Sequence, residues 1–514
     1  MVRRNQEDTM SDIKSVLRDL GGIFLIVGVV TLFVLIVPFY FGEYGAAGTF
    51  DGVTPILLTA GIFFVLGLPL FFIFKKADPA NFKSAMVTAA LGWLFVSIIG
   101  CLPFLLIPYD VFTLAKMDFL SAFFESMSGW TGTGLTMVAH ENFLPFTLQF
   151  WRTWIQWVGS VGVIVLTLSI LARPGTGSFV LYKGEAREQK THPSIVSTVR
   201  TIWWIFLLYT VIGIILVAVV GMVTSNGMNL WQAINHAMTG LATGGFSVTD
   251  DSLASFDAPT LVAMTILMLF GSIAFAAHYN LLKGKIKKFL SDPQFRALIT
   301  LIILGVFVLT IINLDLYHNN LLLALKQSGF QFTSALTCTG FASVTDIGSW
   351  TESAKLVLSF AMIIGGAAGS TAGGIKLFRA ILLYKGVSWR IKRAISTPRR
   401  VFVHKLGDKP LSKEEAMDLI NEAAIISFMW AILLFVGIIV ILWITPSTPD
   451  KLGNSIFEVC SAQGNVGLST GITSIDMNPI GKTMLIFNMW IGRLEIIPII
   501  VLIKSMFGIK RNIL

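Results

Sequence analysis

Long apolar runs alternate with short polar connections along almost the whole chain. Runs long enough to cross a bilayer lie at roughly 20–41, 54–74, 85–107, 146–172, 201–223, 258–282, 297–316, 352–384, 420–444 and 479–506, because about 20 apolar residues span the hydrocarbon core as a helix. Ten crossings are predicted. Between them sit four shorter amphipathic stretches, Phe119–Ser128, Leu230–Thr239, Lys326–Leu336 and Gly453–Ala462. They are too short to span and fit half-helices that enter the membrane partway.

Each half-helix runs into a small loop rich in glycine and hydroxyl or amide groups. The four loops are Thr131-Gly132-Thr133-Gly134-Leu135, Ala242-Thr243-Gly244-Gly245-Phe246, Thr337-Cys338-Thr339-Gly340-Phe341 and Gln463-Gly464-Asn465-Val466-Gly467-Leu468. Each carries a key glycine followed by Leu or Phe, and successive key glycines are roughly 95 to 127 residues apart. A helix begins again after each loop. Pro145, Pro259 and Pro479 fall at or near its first turn, where proline is tolerated. The third unit instead has Ser349-Trp350-Thr351-Glu352, a capping-box pattern. One unit of helix, half-helix, loop and helix is thus written four times. The fold class expected is an all-α polytopic membrane protein, with four pseudo-symmetric units around one pore and two peripheral N-terminal helices. The expected divisions are residues 1–80, 81–195, 196–292, 293–415 and 416–514.

Composition agrees with the pattern. The chain is 54% hydrophobic and 13% charged, against about 25% charged residues in soluble domains. The net charge of +9 is distributed by side. Lys75, Lys76, Lys83, Arg173, Lys183, Arg187, Lys190, Arg200, Lys283, Lys285, Lys287, Lys288, Arg296, Arg379 through Lys413, Lys510 and Arg511 fall on one side. Lys116, Lys326, Lys355, Lys451 and Lys482 fall on the other. This asymmetry predicts that both termini are cytoplasmic, and it makes nucleic acid an unsuitable partner. The first apolar run lacks an Ala-x-Ala cleavage site, so no signal peptide is expected. Cys101, Cys338 and Cys460 form no CxxC pair and are expected to be small buried residues. The six histidines have no metal-binding spacing, and His278 is expected to pack. No Ser/His/Asp or Cys/His constellation is legible, so neither an enzyme nor an organic cofactor is expected.

The candidate chemistry is therefore cation conduction. Rings of backbone carbonyls replace a cation's water shell, and glycine lets backbone turn where a Cβ would clash. The expected ion-binding positions are Gly132, Thr133, Gly134, Thr243, Gly244, Gly245, Cys338, Thr339, Gly340, Asn465, Val466 and Gly467. Asp110, Asp118, Asp250, Asp251, Asp257, Asp346, Glu352, Asp450 and Asp476 fall on the external side. Singly they are solvated loop charges; as a set they favour cations over anions. Close helix packing would explain one glycine loop, but not four at matching positions.

Within the eighth apolar run, residues 365–374 hold five glycines in ten positions. At about 1 kcal/mol each relative to alanine, these cannot form a helix interior. The break is expected on the cytoplasmic side of the loops, as an intramembrane gate over residues 365–376. The gate residues expected are Gly369, Ser370, Thr371, Gly373, Gly374 and Lys376, with Arg493. The P-loop spacing GxxxxGK[ST] is not matched, so phosphate binding is not expected. Arg493, within the tenth run, must pair or face water. Glu495, two residues on, points elsewhere along a helix, and the carbonyls of a neighbouring loop are the expected partners. Arg152 is expected near the external end of its helix, capping a half-helix.

At these residues the chain resembles the Trk/Ktr/HKT superfamily of potassium transporters, most nearly its Trk branch. The most specific signature is Gly369-Ser370-Thr371-Ala372-Gly373-Gly374-Ile375-Lys376. Ala242-Thr243-Gly244-Gly245-Phe246-Ser247, Gln156-Trp157-Val158-Gly159 and Ile491-Gly492-Arg493-Leu494 add to it. The resemblance covers nearly the whole chain. It implies one pore per subunit, a homodimer, and a cytosolic ring of nucleotide-binding, RCK-type regulatory subunits at the cell membrane. It also implies potassium as the transported ion. Gly134 stands where sodium-preferring plant relatives often have serine. With one key glycine per loop and no TVGYG run, fewer well-formed ion sites are expected than in a potassium channel. A gated uptake pore and a secondary symporter of potassium with protons or sodium both remain open. A scaffold without flux would need no such loops.

Overall fold

The structure, a computed structural model, describes residues 2–45, 50–109, 114–162, 195–397, 404–407, 409–447 and 449–506. The predicted basic residues Arg173, Lys183, Arg187, Lys190, Lys510 and Arg511, the acidic Asp110 and the end of the 146–172 run lie outside them.

The chain opens with a long helix, α1 (Val2–Leu32), continued through a 3-10 turn (Phe33–Leu35) by α2 (Ile36–Phe41). It then returns as α3 (Val53–Ile73). Gly21 and Gly67 let α1 and α3 approach closely, since a Cβ on Gly67 would sit 3.1 Å from the Gly21 carbonyl oxygen. Such small-residue contacts are how helices associate in lipid. This pair stands beside the rest rather than apart from it. The indole of Trp154 donates to the Val30 carbonyl at 3.1 Å, and Glu43 accepts from the Phe146 and Thr147 N–H groups at 2.7 and 2.8 Å.

Four repeats follow. The first contains α4 (Phe82–Gly100), α5 (Leu102–Leu106), the short helix α6 (Phe119–Thr131) and α7 (Phe146–Val161). The second contains α8 (Ile195–Val223), short α9 (Leu230–Leu241), α10 (Ala258–Ser272) and α11 (Phe275–Leu282). After α12 (Ile286–Leu290), the third has α13 (Pro293–Ile312), short α14 (Leu321–Leu336), α15 (Glu352–Ile364) and α16 (Leu377–Ala394). The fourth has α17 (Lys413–Ile444), short α18 (Lys451–Gly464), α19 (Pro479–Leu494) and α20 (Ile497–Met506). The half-helices therefore start and end within a few residues of the expected positions. Caps set their starts: Asp118, Asn229 and Asn320 accept from backbone N–H groups of the first turn, the donors a helix leaves unsatisfied. The three cysteines are buried and free, and His278 packs against Phe270 and Tyr209 with Nε2 2.8 Å from the Phe270 carbonyl oxygen.

Several expectations are corrected. Within the described residues the apolar runs correspond to helix, but not all to continuous helix. Among the described residues, six helices are long and apolar enough to cross a membrane unbroken. The 258–282 run bends by 106° between Ser272 and Phe275, and the 479–506 run bends by 112° between Leu494 and Ile497. The interruption expected in the 352–384 run alone thus recurs, and it recurs for a backbone reason. Ile273 and Ala274 are extended, while Glu495 and Ile496 take positive φ angles of 56° and 75°. Third-unit helix α15 is capped by Thr351, whose hydroxyl accepts from Ala354 N–H at 3.3 Å. Glu352 is the first helical residue, so Ser349-Trp350-Thr351-Glu352 is not a capping box. Lys355 and Lys482 are buried inside helices instead of lying in external loops. A two-stranded antiparallel hairpin, β1 (His404–Leu406) with β2 (Lys409–Leu411), lies in a basic connection.

Candidate functional site

The four glycine loops converge, and they do so in cyclic order. The key glycines Gly134, Gly245, Gly340 and Gly467 have φ of 94°, 76°, 89° and 98°, the left-handed region that favours glycine. A Cβ on Gly134 would overlap the carbonyl oxygen of Gly244, on Gly245 that of Thr339, on Gly340 that of Val466, and on Gly467 that of Thr133. Each glycine thus backs onto the residue that precedes the key glycine of the next loop, and the fourth returns to the first. The glycines have two separate reasons to lack a side chain, conformation and contact.

The loops share one backbone path. Two residues before each key glycine, Gly132, Thr243, Cys338 and Asn465 take positive φ of 68°, 50°, 55° and 51°. The next N–H then reaches back to the end of its short helix: Thr133 to Ser128, Gly244 to Thr239, Thr339 to Ser334 and Val466 to Ser461, all at 2.8–2.9 Å. These bonds satisfy helix-end carbonyls. Side chains join the loops laterally. Asn465 Nδ2 donates to the Thr133 hydroxyl at 2.9 Å, and that hydroxyl lies 2.7 Å from the hydroxyl of Thr131. Gln156 on α7 donates to the Gly244 carbonyl at 2.6 Å and accepts from Phe246 N–H at 3.0 Å.

Behind the loops the short helices carry a second set of equivalent residues, which the sequence reading missed. Glu125, His236, Gln331 and Glu458 are all fully buried, each eight positions before the ring carbonyl residue of its own loop. Each holds the strand leaving that loop. Glu125 accepts from Met137 N–H at 2.7 Å, and His236 Nε2 lies 2.8 Å from the Ser247 hydroxyl. Gln331 accepts from Ser343 N–H at 3.0 Å, and Glu458 accepts from Thr470 N–H at 3.0 Å. The signal was present as a polar residue at a fixed offset in four apolar helices. It was hidden because the four residue types differ.

Arg152 is a clamp and caps no half-helix. Its guanidinium donates to Glu125 Oε1 at 2.8 Å, the Ser247 carbonyl at 2.7 Å and the Thr136 hydroxyl at 3.0 Å, and lies over the Phe246 ring. One buried cation thus fixes the outgoing strands of the first and second loops. Lys355 and Lys482 do related work in the third and fourth repeats. Lys355 reaches the Gly348 carbonyl and Asn454 of the fourth short helix; Lys482 reaches the Ile475 carbonyl and Ser121 of the first.

The glycine-rich break of residues 365–376 lies against the ends of two short helices. Gly374 N–H donates to the Gly464 carbonyl at 2.9 Å, and the Thr371 hydroxyl contacts the Leu241 and Gly271 carbonyls at 3.2 and 2.9 Å. The Thr243 hydroxyl meets that of Thr371 at 3.0 Å. The segment also pairs with the bend between α10 and α11, through Ala367 N–H to Ser272 and Phe275 N–H to Gly369. Gly369 and Gly374 have φ of 79° and 76°, Ser370 donates to Ala367, and a Cβ on Gly373 would overlap the Gly464 carbonyl. Lys376 folds its ammonium onto the Ala372 carbonyl.

Arg493 sits at the last turn of α19, beside the bend. Carbonyls are its partners as expected, but the short bonds go elsewhere. Its guanidinium donates to Gly159 and Ser160 at 2.7 and 2.6 Å, at the end of α7, and reaches the Thr371 carbonyl of the break at 3.5 Å. Glu495 forms an ion pair with Arg379 of α16, a partner not anticipated. Arg379 also donates to the Ile375 carbonyl at 2.8 Å.

Comparison with known proteins yields consistent matches. The family model described as TrkH, cation transport protein, matches residues 52–508. The chain is 35% identical to an uncharacterized cation transporter of Methanocaldococcus jannaschii over 503 residues, 97% of each chain. It is 32% identical to the Trk system potassium uptake protein TrkH of Escherichia coli K12 over 446 residues, 84% of this chain and 87% of the relative. The crystal structure of the potassium transporter TrkH from Vibrio parahaemolyticus superposes with a TM-score of 0.78 at 25% identity, covering 96% of this chain and 99% of that one.

Proposed function

Because the chain belongs to the TrkH family of cation transport proteins, we propose that it takes up potassium across the cell membrane through a selectivity filter built from its four glycine loops. The closed cycle in which each key glycine backs onto the next loop's carbonyl residue carries this reading. A cation held by such a ring exchanges water oxygens for carbonyl oxygens. Thr133, Gly244, Thr339 and Val466 supply those carbonyls, and Gly134, Gly245, Gly340 and Gly467 let the loops close around them. Gly132, Thr243, Cys338 and Asn465 turn the backbone into the ring. The divisions 81–195, 196–292, 293–415 and 416–514 are then the four quarters of the pore, and 1–80 its peripheral addition.

The segment 365–376 is the gate in this reading. Its bonds to the Leu241 and Gly464 carbonyls at the ends of two short helices support this reading, as does Arg493, which bridges it to the end of α7. Both termini face the cytoplasm. In this reading two such chains pair as a homodimer, and a cytosolic nucleotide-binding ring moves the gate, as the family resemblance implies. Bent membrane helices also occur in ion-coupled carriers, so potassium symport with protons or sodium is the second reading.

The deciding measurement is the sodium-to-potassium flux ratio in liposomes. Gly134→Ser adds a Cβ where the Gly244 carbonyl oxygen stands, at a φ of 94°, and should raise the ratio. An unchanged ratio at matched insertion removes Gly134 from the filter. Repeating the parent assay with and without a proton gradient separates a pore from a symporter.

A further inference from the structure

Two of the four equivalent short-helix residues are carboxylates, and their surroundings differ. Glu125 is matched by the Arg152 guanidinium at 2.8 Å. Glu458 is equally buried, yet all its donors are neutral. Its Oε1 accepts from the Ser469 hydroxyl at 2.8 Å, Thr473 N–H at 3.1 Å and the Thr473 hydroxyl. Its Oε2 accepts from Thr470 N–H at 3.0 Å and the Thr470 hydroxyl at 3.2 Å. Both oxygens therefore receive a fixed backbone N–H, which suits a carboxylate, an acceptor-only group. Lys355, on the helix packed against α18, is bound instead to Glu352, Gly348 and Asn454.

A buried ion without a partner charge is costly, and hydrogen bonds from neutral donors stabilise it without cancelling its field. The residues that bind Glu458 begin two positions after Gly467, on the outgoing side of the fourth loop. We propose that Glu458 is an affinity-determining residue whose uncompensated charge is balanced by the transported cation at the outer end of the ring. The asymmetry then has a purpose. Glu125 with Arg152 is a neutral brace, His236 and Gln331 are neutral tethers, and Glu458 alone of the four adds net negative potential close to the cation path. In a water-excluded wall that potential decays slowly. The inference rests on the filter reading above and adds to it a residue outside the ring.

The test measures the half-saturating rubidium concentration and the maximal flux in liposomes at matched insertion. Glu458→Gln keeps the shape and removes the charge. It should raise half-saturation roughly three- to tenfold with a smaller change in maximal flux, while Glu458→Asp stays nearer the parent. Gln331→Glu is the converse variant. Its amide nitrogen has no hydrogen-bond partner, so an oxygen there adds charge at the equivalent position, and half-saturation should fall. Unchanged half-saturation in both variants overturns the proposal, as does a loss of maximal flux alone. If Glu458→Gln fails to insert, Gln331→Glu decides by the same criterion. Gly134→Ser is run in parallel. A shifted sodium ratio there, beside unmoved half-saturation here, sinks this inference and leaves the filter standing.

Discussion

Asn465 and Thr133, 332 positions apart, meet through a 2.9 Å hydrogen bond from side-chain amide to hydroxyl. This bond closes the ring between the last loop and the first. Asn465 Nδ2 also reaches the Met489 carbonyl at 3.0 Å, so one amide ties two loops' neighbours to α19. A neutral hydrogen bond contributes roughly 0.5–1.5 kcal/mol. Asn465→Ala should lower potassium-over-sodium selectivity roughly two- to tenfold, measured as relative liposome flux. Thr133→Val should do the same, and the double variant should be no worse than the sum. Full retention of selectivity in both single variants would remove this contact from ring closure.

The Arg152–Glu125 pair predicts a stability effect. Both partners are buried; the Thr136 hydroxyl accepts from Arg152 and donates to Glu125, and Arg152 also donates to the Ser247 carbonyl. Breaking a buried pair by removing one partner costs about 3–5 kcal/mol. Arg152→Met should lower the unfolding temperature in detergent markedly. Arg152→Lys should recover only part, since an ammonium lacks the fork that reaches three acceptors. An unfolding temperature equal to the parent in Arg152→Met would contradict the clamp.

Arg493 and the segment under the loops predict a change in basal flux. The guanidinium holds Gly159, Ser160 and Thr371 together, and a charged hydrogen bond contributes roughly 1.5–3 kcal/mol. Arg493→Ala, or a shortened 365–376 segment, should raise rubidium flux without any regulatory partner by about ten- to a hundredfold. Flux as low as the parent in both, at matched insertion, excludes this gate.

Glu141 predicts a pH dependence. It lies in the connection before α7, buried and 3.6 Å from Arg152. Burial pushes its carboxyl up to about 8 from an ordinary 4.5, with Arg152 pulling the other way. The folded protein therefore keeps the proton over a range where the unfolded chain has lost it. Stability from this group is full below pH 4.5 and declines as pH rises towards 8, following proton linkage. Glu141→Gln should flatten that part of the unfolding-temperature profile. A profile with the parent's slope would assign the decline to other groups.

The basic C-terminal half of α16 predicts partner binding. Lys385 already donates to the Lys405 carbonyl of the hairpin at 2.8 Å, which gives it a structural task. Neutralising Arg390, Lys392 and Arg393 together should weaken co-purification with a nucleotide-binding ring while insertion stays normal. Undiminished binding would take these residues off the docking surface.

Much of this protein was legible in order along the chain. Apolar length marked the spanning helices, because a bilayer needs about 20 apolar residues. Glycine at a fixed place after four short amphipathic stretches marked the loops, because only glycine tolerates both the positive φ and the carbonyl behind it. The five glycines of 365–374 marked a break. What the linear sequence could not show were pairings between distant positions. The bends after Ser272 and Leu494 carry no glycine or proline run, and they arise where helix ends meet other backbone. Arg379 finds Glu495, Arg152 finds Glu125 and Ser247, and Lys482 finds Ser121 only once the repeats stand around a common axis. Local periodicity is set by covalent neighbours, and a buried charge is satisfied by whatever the fold brings within 3 Å. The sequence by itself determined that four like units cross a membrane. The tertiary structure decided which residue of one unit completes the next.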